Sequence, residues 1–251
     1  MQVIPGTSHR RTGLGAPRRI RVLRYHRIVD GKSRYPAHWP CVPVERFRDH
    51  LDLLAHWGYT PITFHDYRLF LKEELNLPKK PVVLTFDLAY KDNHKYMFPA
   101  MQKIGLKGVV FAAGDRHVTD STGLEGEGLP AAPLMDDHDL IELHEAGFEI
   151  GSHGMTYSNL ALLTMERAAE EISRSRILLE ILINAPVLTF AYPFGAATPE
   201  TKSLVSDAGY SIGCVMDAGP RTFESEPFNV RRISVNDQIN NLMLHAKILF
   251  A

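Results

Sequence analysis

An aspartate and two histidines in this chain each follow a short apolar run, and together they could move protons around a hydrolysable bond. Asp87 closes the run VVLTF at 82–86 and begins the segment Asp87-Leu88-Ala89-Tyr90. His26 follows Ile20–Tyr25, and His153 follows Phe148–Gly151 at the head of His153-Gly154-Met155-Thr156-Tyr157. Tyr192-Pro193-Phe194-Gly195 follows a fourth run, Val187–Phe190. Taken singly, each has a bland reading: an aspartate past a strand is often a loop former, and a lone histidine is often hydrogen-bonded structure. Taken together at one end of a set of parallel strands, Asp87, His26 and His153 form an acid–base set.

The elements that would hold them can be read from periodicity. Ile20–Tyr25 is β-rich. Phe47, Leu51 and Leu54 mark one helix face, closed by Gly58. Val82–Phe86 is continuously apolar, as a strand buried on both faces should be. Tyr96, Met97, Ala100 and Ile104 suggest the next helix face, and Gly108–Ala113 the following strand. Asp136 can cap a helix that runs through His144, with Gly147 past its end. Strands are then expected at Phe148–Gly151, Val187–Tyr192, Tyr210–Val215 and Asn229–Val235. Helices are expected at Met165–Ile183 and Pro199–Ala208, and a closing helix carries Ile239, Leu242, Met243 and Leu249. Strand–helix alternation of this kind implies a parallel sheet with helices outside it, and the count of seven or eight strands suits a barrel better than an open sheet. The longest loop candidate is Asp115–Leu134.

The chain has 251 residues, near the size at which one β/α barrel is complete. Residues 20–251 read as a single barrel domain and 1–19 as a flexible, basic lead-in without the apolar segment of a secretory signal. A cytoplasmic location is the expectation that follows. Net charge is -1, so no global field favours nucleic acid or an anionic membrane. No run approaches the roughly 18 apolar residues of a membrane helix. Cys41 and Cys214 belong to no paired ligand motif and read as reduced thiols.

In order and spacing, YHRIVDGKS, VPVERF, GYTPIT, PVVLTFD, YKDN, GFEIGSHGMT, FAYPFGAATPET, AGY and VRRISV together resemble the polysaccharide deacetylases of carbohydrate esterase family four. They are most similar to the circularly permuted branch acting on poly-β-1,6-N-acetylglucosamine. The match covers nearly everything from Val22 to Val235. The resemblance implies an α/β fold, a distorted (β/α)7-type barrel, and metal-assisted hydrolysis of an N-acetyl group on an N-acetylated glycan. It implies that Asp87 is the general base, His26 the general acid and His153 a metal ligand. It also places Tyr192 and Pro193 in the groove-lining motif and Arg232 in the late Arg-Ile motif. Aromatic residues near the groove would include Trp39.

Two positions depart from the pattern. Leu88 stands where the family has a metal-binding aspartate, and Tyr157 stands where it has its second metal-binding histidine. Leucine has no donor atom. Tyrosine ligates only as a phenolate, and its reference pKa is about 10. A divalent metal, zinc, is expected from the family, yet a zinc hydrolase normally supplies three protein ligands, so His153 with a shared Asp87 should hold it poorly. His94, just past the Asp87 loop and near Asp92, is the substitute ligand to consider. His117, His138 and His144 read as surface or capping residues, His50, His56 and His65 as distant from the motifs, and His245 as a structural residue of the terminal helix. The retained acid and base favour a carbohydrate N-deacetylase with altered metal ligation. The lost ligands favour a catalytically inactive carbohydrate-binding homologue.

Overall fold

The computed structural model describes residues 20–32, 39–122, 131–216 and 226–250. The lead-in expected at 1–19 lies outside them. In chain order the elements are β1 (Arg21–Tyr25), β2 (Arg27–Val29), β3 (Cys41–Pro43), α1 (Val44–His56), β4 (Thr60–Ile62), α2 (Phe64–Leu71) and β5 (Pro81–Phe86). A π-helical turn at Asn93–Met97 leads into α3 (Phe98–Gln102), followed by β6 (Val109–Ala112), α4 (Asp137–Glu145), β7 (Glu149–Ser152) and α5 (Met165–Ile183). The chain ends with β8 (Thr189–Ala191), α6 (Pro199–Asp207), β9 (Ile212–Cys214), β10 (Ile233–Ser234) and α7 (Asn241–Phe250).

The main sheet runs β10-β1-β5-β6-β7-β8-β9, with β4 beside the start of β5, and every ladder in it is parallel. β9 and β10 share no ladder. A lone parallel bridge, Cys214 to Val230, joins the last segment to β9. The result is the expected α/β architecture, a distorted parallel half-barrel that stays open between β9 and β10. A small parallel pair, β2 with β3, stands apart.

Side-chain parity divides the strands into two layers. Leu23, Tyr25, Val82, Leu84, Phe86, Val110, Ile150 and Phe190 face the helices in the larger core. Val22, Val83, Val109, Phe111, Ala191, Ile212 and Cys214 face the barrel interior. Gly151 belongs to the inner row, and a Cβ there would lie 2.5 Å from the Phe111 ring, so only glycine leaves that ring its place. Cys41 and Cys214 are buried free thiols, and burial pushes the Cys214 thiol up to about 12, far from reactivity near neutrality.

The amino end of the barrel is stopped by α2. Thr63 and Asp66 cap it reciprocally, and Phe64 and Tyr67 enter the inner core. The His65 amide donates to Glu149 at the start of β7 (2.8 Å), and Thr189 Oγ1 donates to the other carboxyl oxygen (3.0 Å). Burial is the leading influence on Glu149 and pushes its carboxyl up to about 7. A raised acid makes the folded state bind protons more tightly than the unfolded state does. Stability is therefore greatest below the unfolded value and declines as pH rises through about 7. At about 1.4 kcal/mol per pH unit the loss amounts to at most about 3 kcal/mol. Glu149→Gln should remove this slope: the variant is the more stable protein at pH 8 and shows no advantage at pH 4. Melting curves of the two proteins across that range would check it, and parallel pH profiles would refute it.

Two helix faces differ from their periodic pattern. The π turn adds a residue before α3, so Met97, Phe98 and Met101 become the buried face and Ile104 is 53% exposed. In α7 the buried residues are Leu244 and Ile248, while Leu242, Met243 and Leu249 face out. Ile239 is buried before the helix begins, so the face restarts in a new register. Strands expected at Val187–Tyr192 and Asn229–Val235 shrink to their central or final residues because β8 and β10 make short ladders.

Candidate active site

Inner-row groups at the carboxyl ends of β1 and β7, and Arg232 just before β10, converge on Asp87. Its amide donates to the Tyr25 carbonyl, which fixes the turn after β5 against β1. Arg232, fully buried, donates from Nη1 to Asp87 Oδ1 (2.5 Å) and from Nη2 to Oδ2 (3.1 Å), a bidentate pair. The same guanidinium donates Nε–H to the Val215 carbonyl (3.0 Å) and lies 5.4 Å from the centre of the Phe111 ring. Arg24 Nη1 is 3.9 Å from Asp87 Oδ2, and His153 Nε2 is 3.8 Å from the same oxygen. Burial alone would raise the Asp87 carboxyl, but Arg232, then His153 and Arg24, outweigh it and hold it well below the usual carboxylate range.

His153 is fixed by a hydrogen bond between Nδ1 and the Ala191 carbonyl (2.6 Å), which puts the proton on Nδ1. Its Nε2 is buried without a hydrogen-bond partner among the described residues. His26 sits between β1 and β2 and is 8% exposed. Burial, then Arg24, pushes its imidazole down to about 3, against the opposing pull of Asp87. At neutral pH it is an uncharged ring. Asn93 secures the backbone here, donating to the His26 carbonyl (2.6 Å) and accepting from the Ile28 amide (2.7 Å).

Leu88 and Tyr157 lie next to this set but in different surroundings. With Tyr90, Ala132 and Leu134 they form a separate apolar cluster, and Val118 packs against it. The backbone after Leu88 is laced to the segment that carries Ala132 and Leu134: the Met135 amide donates to Ala89 O (2.7 Å) and Lys91 N to Pro133 O (2.9 Å), while Leu134 N donates to Thr119 O (2.9 Å). The Tyr157 ring stands edge-on to His153 at 4.5 Å and touches Phe194 at 4.9 Å. Leu88 and Tyr157 both hold positive φ, +64° and +61°. That conformation suits asparagine or aspartate and costs other L-residues about 1–2 kcal/mol.

Comparison with known proteins places this geometry. Residues 74–213 match the sequence profile described as polysaccharide deacetylase. The chain belongs to the polysaccharide deacetylase family. It is 24% identical over 220 residues to the Bacillus subtilis (strain 168) protein YxkH, covering 88% of this chain and 72% of that protein. Among solved structures it is similar in fold to the Streptococcus pyogenes deacetylase PplD in complex with acetate, with a TM-score of 0.76, 20% identity, and coverage of 92% and 99% of the two chains. IcaB from Ammonifex degensii superposes with a TM-score of 0.72 at 22% identity, covering 91% of this chain and 96% of that one.

Against the family pattern, the residues present do not fit a divalent metal beside Asp87. One imidazole nitrogen is free, both Asp87 oxygens are held by Arg232, and the other two ligand positions are apolar or aromatic. His94 does not fill the gap, because its Nε2 contacts Glu142 (2.8 Å) and its Nδ1 approaches Asp139 (3.5 Å). Asp92 pairs with Arg27. Among the described residues one partial cluster of ligand-type groups exists elsewhere, at Asp136, His138 and Asp139 before and within α4. Its carboxylates already serve the helix cap and Lys91. His117 is exposed, as expected of a surface residue.

Tyr192 departs from its groove-lining expectation. It falls on the outer row of β8, fully buried, with its hydroxyl donating to the Phe228 carbonyl (3.2 Å), so its side chain faces the helical core. Pro193 is buried beside it. The next residue, Phe194, is 44% exposed at φ +58° and covers Tyr157. Sequence reasoning passed over Arg24. Parity could have found it, since Ile20, Val22, Arg24 and His26 occupy one face.

Proposed function

We propose that this chain is a polysaccharide deacetylase homologue that recognises an N-acetylglucosamine-containing glycan without metal-assisted deacetylation. The observation that carries this reading is the apolar cluster around Leu88 and Tyr157, which takes the place of two ligands. The protonation states point the same way. With no metal to polarise the acetyl carbonyl and activate water, an uncharged His26 and an Asp87 carboxylate held by Arg232 supply little acid–base drive on their own. Phe194, exposed at the rim on a strained backbone, supplies an aromatic face for a sugar ring. Within the family we assign the chain to the branch acting on poly-β-1,6-N-acetylglucosamine, because the His26 segment precedes the Asp87 strand as it does there.

Protein purified without added metal should carry far less than one zinc per chain and release no acetate from N-acetylglucosamine oligomers. The same oligomers should shift rim resonances on titration, and Phe194→Ala should weaken that binding about tenfold, or 1.4 kcal/mol. The competing reading is a deacetylase with altered ligation, favoured by the retention of Asp87, His26, His153 and Arg232. Acetate release by the unmodified protein, with zinc near one per chain, would establish that reading and remove ours.

A further inference from the structure

The opposite, amino-terminal end of the barrel holds a second cavity of about 460 Å³, built from α2 and the segments that precede β6, β7 and β8. That volume is in the range of small-molecule sites. His65, Arg68, Lys72, Lys107 and His144 contribute its basic groups. Among the described residues, Arg68, Lys72 and Lys107 make no ion pair, whereas both acidic groups of the cavity are engaged. Asp66 accepts the Thr63 amide in the α2 cap, and Glu149 accepts from His65 N and Thr189 Oγ1. Three cations without a salt bridge therefore share one concavity with two carboxyl groups turned to other donors, and Arg68 is near enough to Glu149 to oppose the rise of its carboxyl.

Two details make this more than a charged surface. Lys107 lies across Gly147, whose φ is +87° and where a Cβ would come within 3.0 Å of Lys107 Cε, so the missing side chain seats the lysine stem over the cavity. His144 Nδ1 is buried and has no hydrogen-bond partner among the described residues. The floor is apolar, from Ile150, Ile183, Pro186 and Leu188. A guanidinium and two ammonium groups suit a compact dianion, and the floor suits a ring.

We propose that this cavity binds a phosphomonoester with an apolar ring body, at a site separate from the Asp87 rim. The test uses the full chain with 1-naphthyl phosphate, and with inorganic phosphate and 1-naphthol as its two halves. Followed by amide NMR, 1-naphthyl phosphate should shift residues 63–72, 144–150 and 185–188. It should bind at least tenfold more tightly than either half. Arg68→Gln with Lys107→Gln should weaken it at least tenfold, with unchanged circular dichroism. Lys72→Gln, altering an exposed side chain at the cavity's edge, should weaken it severalfold and serves if the double variant misfolds. No saturable binding, shifts confined to the rim, equal affinity for inorganic phosphate, or affinity indifferent to these substitutions would each overturn the proposal.

Discussion

Arg232→Met should be among the most damaging single substitutions in the molecule. It leaves the Asp87 carboxylate, 1% exposed, without its bidentate partner. Removing one half of a buried ion pair costs about 3–5 kcal/mol. For a domain of this size that is roughly 6–20 °C in melting temperature. The pH dependence identifies the cause. In the native protein Asp87 is held below its ordinary value of 3.8, so its contribution is complete above the unfolded value and is lost as pH falls through the depressed one. Without Arg232, burial becomes the leading influence and pushes the carboxyl up. The variant should then gain stability as pH drops from 7 towards 5, a range over which the Asp87 contribution in the native protein does not change. Asp87→Asn in the Arg232→Met background should recover part of the loss, because the buried charge is gone. Melting curves at several pH values for all four combinations give the coupling directly. A loss under about 1 kcal/mol with no change of pH slope would mean that Arg24, 3.9 Å away, already carries the carboxylate.

How much of this could be read beforehand depends on which physical signal each feature leaves. Val82–Phe86 announces itself because a strand between two layers must be apolar throughout. Asp136 and Thr164 mark helix starts because unpaired amides need a side-chain oxygen nearby. The rim set follows from strand parity carried one residue further: if Val83 and Thr85 face inward, so does Asp87. Applied to β8, the same rule sends Tyr192 outward, and the groove expectation for its side chain fails there. The π turn at 93–97 leaves no composition signal, since it arises from tertiary fit around Asn93, and it displaced the α3 face. β2 and β3 are three residues each, too short for periodicity to register. The apolar cluster at Leu88 was equally hidden. Its other members, Val118, Ala132 and Leu134, belong to a loop whose packing partners no local pattern reveals.

That cluster sets the terms for restoring the ligand positions. Leu88→Asp alone puts a carboxylate among Tyr90, Leu134 and Tyr157, and an uncompensated buried charge costs about 3–5 kcal/mol. Part of the cost is offset, because aspartate tolerates the φ of +64° that leucine endures there. Tyr157→His alone opens space beside Phe194 and His153 and offers a second imidazole, still short of a set. With both changes, the new imidazole stands beside His153, whose Nε2 is unpartnered, and the new carboxylate comes from the cluster that Tyr157 shares with residue 88. Three ligands act as a unit, so the gain should be far from additive. We expect neither single variant to respond to zinc. The double variant should retain about one zinc per chain, the complement of one three-ligand site. At zinc one hundredfold above its dissociation constant it should gain about 2.7 kcal/mol of stability. The metal would also polarise an acetyl carbonyl and lower the pKa of bound water, so acetate release from an N-acetylglucosamine oligomer should appear in the double variant alone. Zinc-dependent melting without acetate release would separate the two losses. The ligand site would have been recovered, while the segment at 131–135, tied to Ala89 and Lys91 through Met135 and Pro133, still kept substrate from the rim. A double variant that folds and ignores zinc would show instead that the positive-φ turns at residues 88 and 157 no longer aim their side chains at a common point, and the argument from family geometry would fail at its base.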